Sequence, residues 1–224
     1  MVHWAGGHSR EHARDNFPSH GHPGVRAFLA IRMSTQVEEA VAATIEELSR
    51  PRDGVGWVRR ANLHVTLKFL GPAVDAHRLE HLTGALHHFA IDTDPFELAA
   101  EGLGAFPNLQ RPRAIWVGLH SAELGALASR VEALGLECGF ERDNRRWTGH
   151  LTIGRVRSLR AFAKTRAAIL DLKDREFGTS RIESLTLYRS HLGKENARYE
   201  ALATYLFGEG HSGRRGARRF DTLR

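Results

Sequence analysis

Two short segments of the sequence carry residue types that could perform acid–base chemistry at a phosphate. One holds His64 and Thr66 and the other holds His150 and Thr152, each pair separated by a single residue. Imidazole can give or take a proton near neutral pH because its pKa lies there. A threonine hydroxyl can donate a hydrogen bond to a non-bridging phosphate oxygen, where charge builds in the transition state. Two histidines and two threonines therefore suit the opening of a cyclic phosphate by water, and this scheme requires no metal.

Each pair lies in a stretch with the apolar alternation of a β-strand. Alternate side chains of a strand share a face, so His64, Thr66 and Lys68 should point one way. The residues of that strand expected to face the core are Val65, Leu67 and Phe69. His150 and Thr152 should likewise share a face of their own strand. Each strand then presents an imidazole beside a hydroxyl on an element that is otherwise apolar.

The elements that must position these strands follow a pattern that occurs twice. The predicted strands cover residues 25–32, 62–70, 96–106, 113–119, 147–155, 182–192 and 198–207. The predicted helices cover residues 34–49, 75–90, 123–137 and 159–172. Residues 26–28 match 113–115 at an offset of 87 (113 − 26), and 64–66 match 150–152 at 86 (150 − 64). Such a repeat predicts an α+β fold of two pseudo-symmetric lobes of antiparallel sheet. Helices would lie outside the lobes, with the active-site cleft between them.

A His-x-Thr match also has a simpler interpretation. The chain contains 14 His, so a single match is expected by chance alone. Two half-buried structural histidines would give the same pattern. Both matches lie on predicted strands, at equivalent places in a repeated chain, and this favours a functional pair.

Composition limits the class of protein. Hydrophobic residues make up 42% and charged residues 26%, as in an ordinary globular protein. No apolar run approaches the roughly 18 residues of a membrane span. Cys138 is the single cysteine, which excludes an intrachain disulfide and favours a cytoplasmic setting. Residues 1–23 and 209–224 lack apolar periodicity, which predicts a disordered leader and a disordered basic tail. The domain is then 24–208, which we expect to be a monomer.

The order of the segments in this domain resembles that in the RNA 2′,3′-cyclic phosphodiesterases of the two-histidine phosphoesterase superfamily, also called 2′-5′ RNA ligases. The resemblance is carried by residues 26–30, Trp57 and residues 62–71, 104–107, 113–118, 150–155 and 187–190. It implies an RNA or nucleotide substrate with a 2′,3′-cyclic phosphate end, opened so that the phosphate stays on the 2′ oxygen. It also implies that His64 is the proton donor and His150 the proton acceptor, roles that the residue types alone leave open.

The resemblance also raises the question of ligation, and the chain departs from the family pattern at one position. Any 2′-5′ ligation would reverse the same chemistry by joining a 5′-hydroxyl to a cyclic end. The chain has no Lys-x-Asp-Gly motif and no Gly-x-x-x-x-Gly-Lys-[Ser/Thr] loop, so we expect neither ATP nor another cofactor. Before the second histidine the family commonly has proline, whereas this chain has Gly149, which could loosen the local backbone.

Four further residues are candidate substrate contacts, namely Lys68, Arg155, Tyr188 and Phe28. The lysine shares the predicted face of the first histidine, although a strand end also suits a solvated lysine. The arginine matches a basic position of the family, but strict alternation would place it opposite the second histidine unless Gly154 bends the strand. Either aromatic residue could stack on a base or belong to the core.

Two other classes of protein stay open at this point. A His-ligated metalloprotein is one, because His77 and His81 lie four apart on a predicted helix, as in helical metal pairs. No third ligand stands out, and a solvated helix face would look the same, so we expect no metal. The other class is a non-catalytic RNA-binding module, which the net charge of +6 would suit. It predicts binding without turnover.

Overall fold

The computed structural model describes residues 24–193 and 197–208, so the predicted leader and basic tail lie outside the described residues. The strands are β1 (Val25–Ile31), β2 (Val55–Trp57), β3 (Val65–Val74), β4 (Phe96–Phe106), β5 (Ala114–His120), β6 (His150–Val156), β7 (Glu176–Ile182), β8 (Ser184–His191) and β9 (Arg198–Leu206). The helices are α1 (Thr35–Leu48), α2 (Ala76–Ile91), α3 (Ala122–Glu137) and α4 (Ala163–Asp171). None of these helices has both the length and the apolar character of a membrane span.

The strands form two antiparallel sheets, each of which contains one His-x-Thr segment. The first sheet, here the first lobe, has the order β3-β1-β8-β9, and the second lobe has the order β2-β6-β5-β4-β7. A continuous core of buried apolar side chains includes residues from both sheets and from all four helices. The predicted α+β fold of two antiparallel lobes is confirmed.

The lobes are not contiguous in sequence, which the repeat pattern did not reveal. Strand β4 follows β3 in the chain but pairs with β5 and β7 in the second sheet, while β8 and β9 return to the first. Two helices also pack on the sheet of the other lobe: α3, which follows β5, packs on β3, and α1, which follows β1, packs on β7. Strands β2 and β7 were not predicted. The first has only three residues, and the second is interrupted by Gly178 at a φ of +105° and by a register shift.

The helices begin where the sequence has side chains that can cap them. The Ser34 hydroxyl accepts from the Val37 amide at the start of α1, and the Asp75 carboxylate accepts from the Arg78 amide at the start of α2. Each helix buries an apolar face, formed by Val37, Val41, Ile45 and Leu48 in α1 and by Leu79, Leu82 and Leu86 in α2. Helix α4 is shorter than predicted because it begins at Ala163, after a turn that leaves Leu159 exposed.

A β-bulge follows the His-x-Thr segment in each lobe and reverses the alternation of the strand. In the first lobe, Ala30 lies opposite Thr66 and Leu29 lies opposite Lys68, so Leu67 is the extra residue. As a result Lys68 faces the interior and Phe69, at 39% exposure, does not. The prediction that Lys68 shares the His64 face and that Phe69 lies in the core was therefore wrong. A simple period of two cannot foresee an inserted residue.

The second lobe has the same bulge at the equivalent place. Trp116 lies opposite Thr152 and Ile115 lies opposite Gly154, so Ile153 is the extra residue. Each of these positions lies 86 residues after its counterpart in β1 or β3 (for example 115 − 29 and 154 − 68). The repeat therefore has one offset, and the match of residues 26–28 at 87 was one position out of register.

Candidate active site

The two histidines are held by equivalent hydrogen bonds, one in each lobe. His64 Nδ1 lies 2.7 Å from the Asn62 carbonyl oxygen, and His150 Nδ1 lies 2.8 Å from the Thr148 carbonyl oxygen. A carbonyl oxygen can only accept, so Nδ1 of each ring carries the proton. Each imidazole therefore keeps Nε2 for a substrate. The pseudo-symmetry of the fold extends to the tautomer of its histidines.

The electrostatic surroundings of the two rings are also alike. Burial lowers the pKa of His64 and of His150, because a desolvated imidazolium is disfavoured, and the carbonyl bond partly opposes this effect in each case. The charge of Arg155 lowers the pKa of both histidines further, and the charge of His150 lowers the pKa of His64. In the folded chain Arg155 is therefore close enough to both histidines to act on them electrostatically.

Aromatic rings pack against the first histidine. The centroids of Phe28 and Tyr199 each lie 4.9 Å from that of His64, the tyrosine in an edge-to-face arrangement. Phe28 and Tyr188 stack on each other at 5.3 Å and are only 6% and 8% exposed. The two aromatic residues proposed from the sequence do lie in the site. Their rings are covered, however, so they form a wall behind His64 and leave little open face for a base.

The second histidine has a smaller aromatic wall. The Phe106 ring meets His150 edge to face at 4.9 Å and lies 5.3 Å from Trp116. Strand register makes Phe106 the counterpart of Tyr188, since they lie opposite Ala114 and Phe28 respectively. Each histidine is therefore backed by an aromatic residue from a third strand of its own sheet.

The two threonines occupy equivalent strand positions in the two lobes. Thr66 is exposed and lies opposite Ala30, and Thr152 is half-buried and lies opposite Trp116. Within the part of the chain that the structure describes, neither hydroxyl takes part in a hydrogen bond with protein. Both remain able to donate to a ligand in the cleft.

The bulges bring two different residues onto the site face. In the second lobe the exposed residue after the bulge is Arg155, opposite Ala114. In the first lobe it is Phe69, opposite Phe28, with the Arg26 guanidinium 4.3 Å above its ring. The doubt about the direction of Arg155 is resolved by the bulge. The extra residue Ile153, rather than a bend at Gly154, turns the Arg155 side chain to the site face.

Lys68 is not available to a substrate. Its Nζ donates to Glu132 Oε2 at 2.7 Å and to the Glu141 carbonyl oxygen at 2.9 Å, and its side chain is 1% exposed. The bulge at Leu67 directs it under α3. We therefore exclude Lys68 from the substrate contacts that the sequence suggested.

Gly149 has a packing reason for lacking a side chain. A Cβ at this position would lie 2.8 Å from Cδ2 of Leu124 on α3 and 3.2 Å from the Trp147 ring. A larger residue at this position therefore requires the Leu124 side chain to shift. The departure from proline therefore matches a close approach of α3 in this chain.

Four residues of the site were missed by the sequence reasoning, namely Arg32, Phe69, Phe106 and Tyr199. The Arg32 guanidinium is paired with Glu38 and lowers the pKa of His64. Phe69 was missed because of the bulge in β3, whereas Phe106 and Tyr199 come from β4 and β9, whose sheet the repeat pattern did not reveal. Once the register of β4 and β9 is known, their alternation places them in the site.

The alternative metal site finds no support in the described part of the chain. His77 and His81 both lie on α2. No group of three or more His, Cys, Asp or Glu side chains among the described residues could hold a metal ion. Independence from metal stays a prediction, which chelation tests.

Comparison with known proteins agrees with this geometry. The sequence profile of the 2′-5′ RNA ligase superfamily matches residues 37–194. The RNA 2′,3′-cyclic phosphodiesterase of Methanocaldococcus jannaschii is 30% identical over 178 residues, which are 80% of this chain and 98% of that protein. The protein of the same name from Archaeoglobus fulgidus is 32% identical over 182 residues, 81% of this chain and 99% of the relative. The chain therefore belongs to the 2′-5′ RNA ligase superfamily.

Solved structures show the same fold. The crystal structure of Escherichia coli LigT complexed with 3′-AMP matches with a TM-score of 0.68 at 24% identity, covering 83% of this chain and 99% of LigT. The two-lobed arrangement described above is thus shared with LigT.

Proposed function

We propose that this protein is an RNA 2′,3′-cyclic phosphodiesterase that opens the cyclic phosphate at an RNA end to leave a 2′-phosphomonoester. The observation that carries the proposal is the matched pair of histidines. Each is held through Nδ1 by a carbonyl two residues earlier, which leaves Nε2 for a substrate, and the charge of His150 acts on His64. Relatives about 30% identical over most of the chain bear this name, which supports the same assignment.

The reaction needs one proton taken and one proton given. A water oxygen attacks phosphorus, the bond from phosphorus to the ribose O3′ breaks, and the phosphate stays on O2′. Neutral His150 takes the proton of the attacking water at Nε2. Protonated His64 gives the Nε2 proton to the departing O3′ while Nδ1–H stays bonded to Asn62. Family resemblance supplies the direction of this assignment, and the geometry is compatible with it.

The remaining polar groups of the site would bind the phosphate. Thr66 and Thr152 can each donate to one non-bridging oxygen from opposite lobes. Arg155 adds a cation that is exposed and already close enough to act on both histidines. A cyclic phosphodiester carries one negative charge, which the arginine would balance as further charge builds on the non-bridging oxygens.

The nucleoside would lie on the side of the first lobe. Phe69 is the exposed aromatic residue of the site face, and Arg26 lies over its ring. Base stacking on aromatic rings is tolerant of base identity, so a contact here predicts weak base preference. This replaces the earlier assignment of stacking to Phe28 and Tyr188, whose rings are covered.

The same ring opening can also join two RNA ends without ATP. In ligation a 5′-hydroxyl oxygen takes the place of water, loses its proton to His150, forms the bond to phosphorus and displaces O3′. The product is a 2′-5′ linkage, and the energy comes from opening the cyclic ester. Ligation would therefore need both histidines in the same protonation states as hydrolysis.

Turnover of a nucleoside 2′,3′-cyclic phosphate with EDTA present tests the proposal. We expect full activity with chelator and a 2′-monophosphate product, identified by phosphorus NMR against authentic 2′- and 3′-monophosphates. Loss of activity on chelation, restored by added metal, would favour a metalloenzyme. Tight RNA binding without turnover would favour the non-catalytic binding module.

Two further properties of the protein belong to this proposal. The single cysteine, Cys138, is buried, and burial raises the pKa of its thiol, so it is protected from oxidation and suits a reducing cytoplasmic setting. Each lobe contributes one histidine, so one chain completes the site. We expect a monomer, which size-exclusion chromatography with light scattering would show.

A further inference from the structure

Lys68 is a buried charge that the proposed reaction does not use. Its side chain is 1% exposed, and its ammonium donates to the Glu132 carboxylate and to the Glu141 carbonyl oxygen. An ion pair in the interior loses much of its Coulomb energy to desolvation and is weak grounds for stability. The presence of this lysine needs a different explanation.

Helix α3 makes room for the lysine. A Cβ at Gly135 would lie 2.3 Å from Cε and 2.6 Å from Cδ of Lys68, so only glycine lets the stem cross the helix. Glycine is unfavourable in a helix interior relative to alanine. Gly135 therefore weakens α3 but leaves the space that the buried Lys68 side chain occupies.

The ion pair holds the segment that leads to the second histidine. Residues 141–149 have no helix or strand and end at His150. Lys68 binds the carbonyl of Glu141, and Glu132 Oε1 accepts from the Asp143 amide at 3.1 Å. Both ends of the ion pair thus bind the backbone at the start of this segment.

The repeat shows what this ion pair replaces. In the first half of the sequence repeat the equivalent residues, 86 positions earlier, are strand β2, which joins the second lobe by pairing with β6. The Val58 amide extends that pairing by donating to the carbonyl of the bulge residue Ile153 at 2.9 Å. The segment before His64 is therefore held across the cleft by a β-ladder. Residues 141–143 have no such ladder with β3.

Two side-chain bonds link this segment to β3 instead. Lys68 binds it at its start, and the Trp147 indole nitrogen donates to the Thr66 carbonyl oxygen at 3.2 Å near its end. Between Trp147 and His150 lies Thr148, whose carbonyl holds the histidine ring. The orientation of that ring therefore depends on backbone that these two bonds link to β3.

We propose that Lys68 is a positioning residue that holds residues 141–149 of the second lobe against β3 of the first and thereby fixes His150 relative to His64. This inference rests on the proposed function, because it gives Lys68 a task in that reaction. The Lys68 side chain links residues 141–143 to β3, where their counterpart β2 is instead linked to β6 by strand pairing.

The test compares two variants that remove the contact by different routes. Lys68→Met keeps the stem and removes the ammonium, whereas Gly135→Ala leaves the lysine intact but blocks its path across α3. Lys173→Met is the matched control, since Lys173 is exposed and pairs with its neighbour Asp174. Misplacement of a catalytic group by about 1 Å can cost about 100-fold in rate, so we expect a fall in kcat of about 10- to 100-fold. KM should change less than about twofold, because no substrate contact is removed.

Proton NMR of the ring Nδ1–H groups gives a readout that does not depend on turnover. In the native protein both signals should be protected from exchange by their carbonyl bonds, and His150→Ala identifies one of them. In Lys68→Met and Gly135→Ala the His150 signal should broaden or be lost while the His64 signal persists. An unchanged kcat with both signals intact would overturn the proposal.

A double variant separates positioning from stability and covers the case in which Lys68→Met does not fold. Lys68→Met with Glu132→Leu removes both charges, so the thermal midpoint should recover. The proposal predicts that kcat stays low, because the bond to Glu141 is still missing. Recovery of kcat together with stability would mean that the ion pair is only structural. Full activity of His150→Ala would instead contradict the proposed function, leaving the NMR result on Lys68 unaffected.

Discussion

The two lobes share one frame and differ in what they place on it. Each has a histidine held through Nδ1, a threonine two residues later and a bulge directly after the threonine. After the bulge the first lobe has Lys68 and Phe69, and the second has Gly154 and Arg155. The frame supplies a symmetric pair of imidazoles. The residues after the bulge make the site asymmetric, with a cation on one side and an exposed aromatic ring on the other.

This asymmetry gives the cleft a direction for its substrate. A cyclic phosphate end has an anionic and a nucleoside part, and the phosphate should lie nearer Arg155 while the base lies nearer Phe69. A symmetric substrate would gain nothing from this arrangement. The comparison of the lobes therefore predicts which variants affect chemistry and which affect only binding.

Loss of the shared frame should have the largest effect. Each of His64→Ala and His150→Ala should lower kcat by about 10²–10⁴, the usual value of general acid or base catalysis. Steady-state assays measure this, with thermal melts to show that the variants fold. His81→Ala is the control, because His81 is exposed on α2. A near-normal rate in either histidine variant would end the proposal for that residue.

Loss of the asymmetric residues should separate the two parts of the substrate. Arg155→Ala should lower kcat/KM by about 10- to 100-fold for every substrate, because it removes charge-assisted bonds to the phosphate. Phe69→Ala should raise KM by about tenfold for nucleotides and leave a ribose cyclic phosphate without a base unaffected. Equal losses on both substrates in the Phe69 variant would show that the ring supports the fold rather than the base.

Loss of one threonine hydroxyl should have a smaller effect than loss of a histidine. Thr66→Val and Thr152→Val keep the side-chain shape and remove one donor each, so kcat should fall by about tenfold. The Ser variants should restore most of the rate. Because the threonines occupy equivalent positions, the two Val variants should agree within a few-fold. A large difference would place the phosphate closer to one lobe.

The pH profile should show the smallest but most diagnostic change. Burial disfavours the imidazolium, so the pKa of both histidines is lowered in the free protein. The reaction needs one ring neutral and one protonated, so kcat/KM should follow a bell with its maximum on the acid side of about 6.5. A bound phosphate anion raises both values, so the bell in kcat should lie at higher pH.

The limbs of that bell belong to the coupled pair and not to single residues. Arg155→Ala should move the kcat/KM bell to higher pH, because the arginine charge lowers the pKa of both histidines. Lys173→Met should leave it in place. A rate that is flat from about pH 5 to 9 would contradict catalysis by paired histidines.

The sequence predicted the part of the site that local periodicity determines. His64 and Thr66 could be placed on one strand face because the alternation holds as far as the bulge. Lys68 and Phe69 could not, because an extra residue reverses the alternation and leaves no mark in a pattern of apolar residues. Whether a bulge forms depends on the partner strand, which sequence distance conceals.

Sheet membership was the second limit of the sequence. Strands β4, β8 and β9 are clear from their alternation, but which sheet each one joins depends on long-range pairing. Their exchange between lobes is what brings Phe106 to His150 and Tyr199 to His64. Family resemblance could supply the identity of the catalytic pair, whereas the residues packed around it required the fold.

Rescue by a better leaving group tests the central claim most directly. The substrate is a nucleoside cyclic phosphate with sulfur in place of the 3′ bridging oxygen. Its 3′ sulfur leaves as a thiolate and needs no proton from an acid. If His64 protonates O3′ and His150 activates water, His64→Ala should regain most of its lost rate on this substrate, and His150→Ala should regain none. Equal rescue of both variants, or of neither, would contradict the division of labour between the two lobes.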